Sequence, residues 1–268
     1  MPEATARSIG GAFARAREEG RAALMPYLMG GFPDLDTSLA VAGAYVDAGA
    51  DLIELGIPFS DPLADGPVIH AAASTALAGG ATLEGALAIC ERLAERVPVV
   101  PMVYANMALA RGADAFAALL GDVGAAGVIV PDLPLDEAGG IGAALAAAEI
   151  PLIPLVAPTT SAERRREICG AARGFVYVVS DTRVTGERAE LPAGLAELVE
   201  AVRSEASVPA AVGFGIGTPE QAAVVGRIAD GVIIGTRLVR AVAEAGDADE
   251  AIRAVSSFLR ECGGALAG

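Results

Sequence analysis

Two carboxylates, Glu54 and Asp65, are the first residues whose setting suggests chemistry. Glu54 interrupts the apolar run Asp51-Leu-Ile-Glu-Leu-Gly56. Alternate residues of a strand share a side, so Leu52, Glu54 and Gly56 face together. If that side is a barrel interior, the carboxyl is desolvated near the strand's C-terminal end. Its pKa then rises toward neutrality, as a general acid/base needs. The competing placement turns Glu54 outward to pair with a helix cation, and position alone leaves both open, because unpaired buried acids are rare. The segment Gly56–Pro67 packs two aspartates, three prolines and two glycines into twelve residues. Prolines fix φ and favour a shaped loop over a floppy one. Asp61 reads equally as a turn or cap residue. Asp65, followed by Gly66-Pro67 and a helical pattern, is better placed to offer its carboxylate back toward Glu54.

A second constellation is rich in glycine. Gly213-Phe-Gly-Ile-Gly-Thr-Pro-Glu-Gln221 follows an apolar run, with Thr218 as N-cap, Pro219 as first helical residue and Gln221 completing a capping-box pattern. One run later, Asp230-Gly-Val-Ile-Ile-Gly-Thr236 ends in Gly-Thr and opens another helix. Backbone N–H groups at a helix N-terminus, with a hydroxyl beside them, make a phosphate site. The GxGxG pattern alone is weak; its pairing with Gly235-Thr236 strengthens it.

The single histidine, His70, sits on a helix just past the proline-rich loop, and one histidine builds neither a triad nor a His-based metal site. Tyr104, Asn106 and Tyr177 lie at strand ends, where they line a pocket or simply pack. Arg164–Arg166 reads as a solvated helix face. The three cysteines, Cys90, Cys169 and Cys262, are far apart, match no metal spacing and lie in apolar helical contexts, as expected of buried thiols in a reducing compartment.

The elements that must position these groups recur along the chain. Apolar runs at Leu24–Met29, Asp51–Gly56, Val97–Val103, Gly127–Pro131, Pro151–Val156, Gly174–Val179, Pro209–Gly213 and Asp230–Ile234 lack sustained polar alternation, as strands covered on both faces do. Helical patterns separate them: Leu39, Ala42 and Val46 share one face of a segment ending near Gly49, and Leu195, Leu198, Val199 and Val202 share another. Eight such units in 268 residues suit an α/β fold of the (β/α)8 TIM barrel kind, in one domain spanning 1–268, with an extra N-terminal helix at Gly11–Glu19. A doubly wound open sheet is the runner-up, disfavoured because no first βα turn carries a dinucleotide fingerprint. The two long connections, Ile57–Pro67 and Ser180–Leu191, follow strands, where barrel enzymes keep their chemistry.

Composition bounds the partners. A hydrophobic content of 53% supplies a large core, while a net charge of −15 and a pI near 4.5 argue against nucleic acid and against an anionic membrane surface. The longest uncharged stretch, Gly66 to Leu83, contains Pro67 and paired glycines and fails as a spanning helix. The N-terminal segment lacks the apolar core of a signal peptide, so a cytoplasmic protein is expected.

Together these segments carry a resemblance. Glu54-Leu-Gly-Ile-Pro-Phe-Ser-Asp-Pro-Leu-Ala-Asp-Gly-Pro-Val-Ile69 resembles the hallmark segment of the tryptophan synthase alpha chain family. Tyr104-Ala-Asn106, Val130-Pro-Asp-Leu-Pro134, Val184-Thr-Gly186, Gly213-Phe-Gly-Ile216 and Gly235-Thr236 follow in order at matching distances, so the resemblance runs from about Ala22 to Val239. It implies a (β/α)8 barrel that cleaves indole-3-glycerol phosphate to indole and glyceraldehyde 3-phosphate in tryptophan biosynthesis, without metal or organic cofactor. It places the catalytic glutamate at Glu54, the indole-contacting aspartate at Asp65 and the pocket tyrosine at Tyr177. It places phosphate contacts at Gly186, Phe214, Gly215, Gly235 and Thr236. It further implies a pyridoxal-phosphate beta chain as partner in an alpha2beta2 assembly, faced by the loop with Pro58 and Asp61. Thr185 is expected to hydrogen-bond Asp65 on closure.

Three positions depart from the family pattern. Arg183 stands where a glycine is usual, which would strain a backbone with positive φ. Thr236 replaces the usual Ser but keeps its hydroxyl, and His70 takes a position usually held by Gln. The alternatives are a stand-alone lyase releasing free indole, or a silent regulatory subunit, against which the presence of both Glu54 and Asp65 argues.

Overall fold

The computed structural model describes residues 8–180, 192–213 and 215–268. The first half runs α1 (Ile9–Glu18), β1 (Ala23–Met29), α2 (Leu35–Asp47), β2 (Ile53–Gly56), α3 (Pro67–Ala78), α4 (Leu83–Leu93), β3 (Val99–Met102), α5 (Ala105–Arg111), α6 (Ala113–Asp122) and β4 (Val128–Ile129). Then come α7 (Gly139–Ala147), β5 (Leu152–Ile153), β6 (Leu155–Val156), α8 (Ala162–Ala171), β7 (Val176–Val179), α9 (Leu195–Glu205), β8 (Ala210–Gly213), α10 (Pro219–Gly226), β9 (Gly231–Ile234), α11 (Thr236–Glu244) and α12 (Ala248–Leu266).

All strand pairings are parallel, in the order β5-β4-β3-β2-β1-β9-β8-β7-β6. The two ends of that order are halves of one run, Pro151–Val156, split at Pro154. Proline has no N–H to donate to a ladder. The first half therefore pairs with β4 and the second with β7, while the Pro154 carbonyl still accepts the Tyr177 amide at 2.9 Å. The sheet closes through this split strand, so the eight expected runs become nine segments of a (β/α)8 barrel. The N-terminal helix begins at Ile9, two residues before the expected start, because Ser8 accepts the Gly11 amide as its N-cap.

Side-chain alternation divides the core in two. Leu52, Val100, Ile129, Ile153, Phe175, Tyr177, Ala211 and Ile233 point inward. Ile53, Leu55, Val99, Val128, Val176, Val178, Val212 and Val232 face the helix layer. The runs lack polar alternation because both sides are buried. At one end α1 plugs the barrel: Ile9, Phe13 and Ala16 join the inner cluster, and the Phe13 and Phe175 rings lie 5.8 Å apart. The three cysteines are free and buried on α4, α8 and α12, as their helical contexts predict. Among the described residues no single helix is long and apolar enough to cross a membrane.

Near the start of β1, Arg21 reaches Asp51 with two hydrogen bonds of 2.5 and 3.0 Å, and Asp51 also accepts the Leu24 amide at 2.8 Å. Asp51 is 6% exposed, so this pair ties β1 to β2 away from bulk water. Arg21→Met would leave that carboxylate buried without its cation, a loss of about 3 kcal/mol by urea denaturation. An unchanged midpoint would mean that the pair contributes nothing to stability.

Candidate active site

At the other end of the barrel the interior turns polar. Glu54 lies on β2 between inward Leu52 and Gly56, and it points inward with them: it is 2% exposed, and its Oε2 has no hydrogen-bond partner. This decides between the two placements of that carboxyl. No cation pairs with it among the described residues. Burial, with the charge of Asp65 adding to it, pushes the Glu54 carboxyl up to about 8. It is therefore protonated at neutral pH, a proton donor held out of water.

Asp65 stands in the loop between β2 and α3, two residues before Pro67 opens the helix behind Gly66. Burial raises its pKa too, while the neighbouring Tyr104 hydroxyl and His70 pull the other way. Burial thus works against its charge and these two neighbours for it. His70 lies exposed on α3, one turn along from this loop.

Two tyrosines complete the interior face, and burial lifts both far above the ordinary phenol range. Tyr27 on β1 is the register partner of Glu54. Its hydroxyl lies across Gly56, where a β-carbon would come within 2.0 Å of it. Tyr177 on β7 reaches over Gly213 in the same way, at 2.2 Å. Glycine ends β2 and β8 because each is crossed by a neighbour's phenol. Tyr177 falls where the sequence expected a pocket residue. Tyr27 was not expected at all; the available signal was its parity with Met25 and Met29 on a strand aligned with Glu54.

The glycine-rich ends sit on the adjoining strands. Gly215 takes φ +87°, beyond β8, and Gly235 lies against the Tyr27 ring at the head of α11. Thr218 caps α10 by accepting the Gln221 amide, while Gln221 Oε1 accepts the Gly217 amide at 2.8 Å, so that helix start is satisfied internally. The head of α11 has no side-chain cap. Its first amides with carbonyl partners are Leu238 and Val239, both on Gly235; the amides of Thr236 and Arg237 come before them, where a helix leaves donors for an anion. Thr236 is buried there beside them. Thr185, Gly186, Arg183 and Phe214 fall outside the described residues.

In the loop after β2, Pro58 is buried and Asp61 exposed, its carboxylate taking the Ser60 hydroxyl. Pro58 thus underlies the loop and Asp61 presents it. Arg164 and Arg165 are paired with Asp136, Glu167 and Glu205 and are half-buried; of the expected solvated face, Arg166 alone is exposed. A groove of about 1150 Å³ between α7 and α8, lined by Pro134, Ile150, Leu155 and Ile168 among others, lies apart from both carboxylates. Among the described residues no group of three or more His, Cys, Asp or Glu is arranged to hold a metal ion.

Comparison with known proteins adds the decisive observation: residues 13–265 match the family model described as tryptophan synthase alpha chain. The chain belongs to that family. The tryptophan synthase alpha chain of Prochlorococcus marinus (strain MIT 9313) is 46% identical over 244 residues, covering 90% of this chain and 89% of the relative. That of Roseiflexus castenholzii is 46% identical over 255 residues, covering 94% and 97%. Among solved structures, Mycobacterium tuberculosis tryptophan synthase superposes with a TM-score of 0.89 at 38% identity, covering 96% of this chain and 97% of that one. The tryptophan synthase alpha subunit of Legionella pneumophila str. Paris gives a TM-score of 0.85 at 34% identity, covering 96% and 97%. Family members and this chain thus share a barrel over nearly their whole lengths.

Proposed function

We infer that this alpha-chain family member is a carbon–carbon lyase of tryptophan biosynthesis, cleaving indole-3-glycerol phosphate to indole and glyceraldehyde 3-phosphate. The observation that carries the reading is the buried Glu54 carboxyl, its Oε2 without a partner, beside a second carboxylate, Asp65, whose pKa is raised by burial against the opposing pull of Tyr104 and His70. Retro-aldol cleavage needs indole C3 protonated, so that the ring can accept the electrons of the breaking bond. Protonated Glu54 donates to C3. Positive charge then spreads to the ring nitrogen, where ionised Asp65 accepts the N–H and stabilises the cation more than the neutral ground state. The Glu54 carboxylate left behind takes the proton of the adjacent glycerol hydroxyl, directly or through water. The C3–carbon bond breaks, its electrons neutralise the ring, the aldehyde forms, and Glu54 ends protonated as it began. Two carboxylates take different roles because their surroundings differ.

Tyr177 lines the pocket opposite Glu54. Gly215, Gly235 and Thr236, with Gly186 and Phe214 from outside the described residues, are suited to the phosphate: an uncapped helix start supplies N–H donors in an otherwise acidic protein. Three buried free thiols fit a reducing, cytoplasmic setting.

A beta chain is the partner this reading calls for, and the surface supports one. Leu63, Leu109 and Leu135 are 82%, 64% and 40% exposed. They follow β2, β3 and β4, three adjacent strands, so apolar side chains gather on one quadrant of the rim that carries Asp61. Indole release from indole-3-glycerol phosphate, measured with and without a tryptophan synthase beta chain, tests both statements. Cleavage that rises when the beta chain is added is expected; no indole under either condition removes the activity. The paired change Leu63→Asp and Leu109→Asp should reduce the beta-chain stimulation at least tenfold while leaving the activity of the isolated chain intact. Undiminished stimulation would place the partner elsewhere.

A further inference from the structure

Asp65 belongs to a loop, and a loop carboxylate that must meet one ring N–H needs something rigid to hold it. The structure offers one such group. Tyr104 lies two residues past β3, as the N-cap residue of α5, and is 3% exposed. Its hydroxyl accepts the Ala64 amide at 3.1 Å, beside the next residue, Asp65, whose charged form it favours. A phenol has one proton to give; with the amide donating to its oxygen, that proton is left to turn toward the neighbouring Asp65. The ring is clamped as well, stacked on Phe59 with centroids 5.1 Å apart and planes 24° from parallel. Below it, the adjoining Ala105 amide donates to Asp132 at 2.8 Å, tying the head of α5 to the loop after β4. Tyr104 thus touches the β2 loop at Phe59 and Ala64 and is anchored to the neighbouring strand's loop.

We propose that Tyr104 is the positioning residue of this site, pinning the loop at Phe59 and Ala64 so that the adjoining Asp65 carboxylate is held toward the indole nitrogen. The proposal rests on the lyase reading and deepens it. The groups facing Asp65 are Glu54 on β2, Tyr27 on β1, Tyr177 on β7, His70 on α3 and Tyr104 just past β3. Among the described residues, Tyr104 and His70 are the two of these that favour the Asp65 charge. Removing a donor from a carboxylate disfavours its charged form, so its pKa climbs.

The test is Tyr104→Phe, which keeps the ring on Phe59 and deletes only the hydroxyl. Indole release is followed across pH, alone and with a beta chain, beside Asp65→Asn as reference. The expected result is kcat lower by about 10- to 100-fold, the usual effect of losing a hydrogen-bond donor beside a charged group, with a much smaller change in KM. The acid limb of kcat/KM should move to higher pH, because Asp65 now protonates more readily. Wild-type kcat with an unmoved acid limb, while Asp65→Asn is impaired, would overturn the positioning role and leave the lyase reading standing. Lost activity with an unmoved limb and a lowered melting temperature would also overturn it, marking Tyr104 as a packing residue. Full activity in Asp65→Asn would instead remove the reading on which the proposal stands.

Discussion

Glu54→Gln is expected to reduce indole release by at least about 1000-fold, within the range that general acid–base groups contribute. The amide keeps the shape of the side chain inside the barrel but cannot give a proton to C3 or take one from the glycerol hydroxyl. Binding should survive, because Gly235, Thr236 and the pocket wall are untouched. The same variant has a stability signature. In the unfolded chain Glu54 ionises near 4.5, whereas in the barrel its carboxyl is pushed up to about 8. Between those values the folded state holds a proton that the unfolded state has lost, so the wild-type protein loses stability as pH rises from 4.5 to 8. Above that window both states are ionised and the loss is complete. It amounts to a few kcal/mol at most once relaxation of the site is counted, since each tenfold change in an ionisation constant is worth ~1.4 kcal/mol. Gln carries no such dependence. The melting temperature of Glu54→Gln relative to wild type should therefore climb from pH 5 to pH 8, even as activity disappears. A constant difference across that range would mean that Glu54 is ionised in the folded protein, and its role as proton donor would end there.

Glu54 and its surroundings show which features could be read from residue order. The inward placement of Glu54 follows from strand parity once Leu52 is assigned to the interior, and its apolar flanks already announce desolvation. The eight runs were legible because a parallel strand buried on both sides has no polar alternation to confuse it. The split of the fifth run was not anticipated. Pro154 marks it, but a proline in an apolar run says only that one ladder bond is missing, and barrel closure decides on which side. The site was half legible. Asp65 could be placed near Glu54 by the rigid loop between them, yet its mixed environment depends on Tyr104, which is distant in sequence and lies at the head of α5, just past another strand. Tyr27 escaped because a strand tyrosine ordinarily packs, and its hydroxyl matters only where a neighbouring strand ends in glycine, as β2 does at Gly56. The helix start after Gly235-Thr236 was legible, and its lack of a cap has a physical reason: Gly-Thr after a buried strand leaves amides without a side-chain cap, whereas Thr218-Pro219 one strand earlier closes its own. The exposed leucines, two in loops and Leu109 on α5, have no common pattern in the sequence, since only the sheet order brings β2, β3 and β4 side by side.

Asp65→Asn should lower kcat by about 100- to 1000-fold, comparable to deleting one preorganised charge-stabilising group from an active site. Asn retains an oxygen that can accept the indole N–H, so the loss measures the missing charge rather than a missing contact. Its effect on pH dependence is the sharper consequence. Burial is the larger cause of the raised Glu54 carboxyl and the Asp65 charge the second. Removing that charge lets Glu54 ionise more easily, so the alkaline limb of kcat/KM must move to lower pH. It should still stay above the ordinary glutamate value of 4.5, because burial is unchanged. The acid limb should flatten, as the group whose protonation stops catalysis there is gone. Opposite movements thus separate the two loop-side variants: Tyr104→Phe moves the acid limb up, whereas Asp65→Asn moves the alkaline limb down. Were the alkaline limb of Asp65→Asn to stay in place, the two carboxylates would be electrostatically independent, and their division into one donor and one charge stabiliser would lose its physical basis.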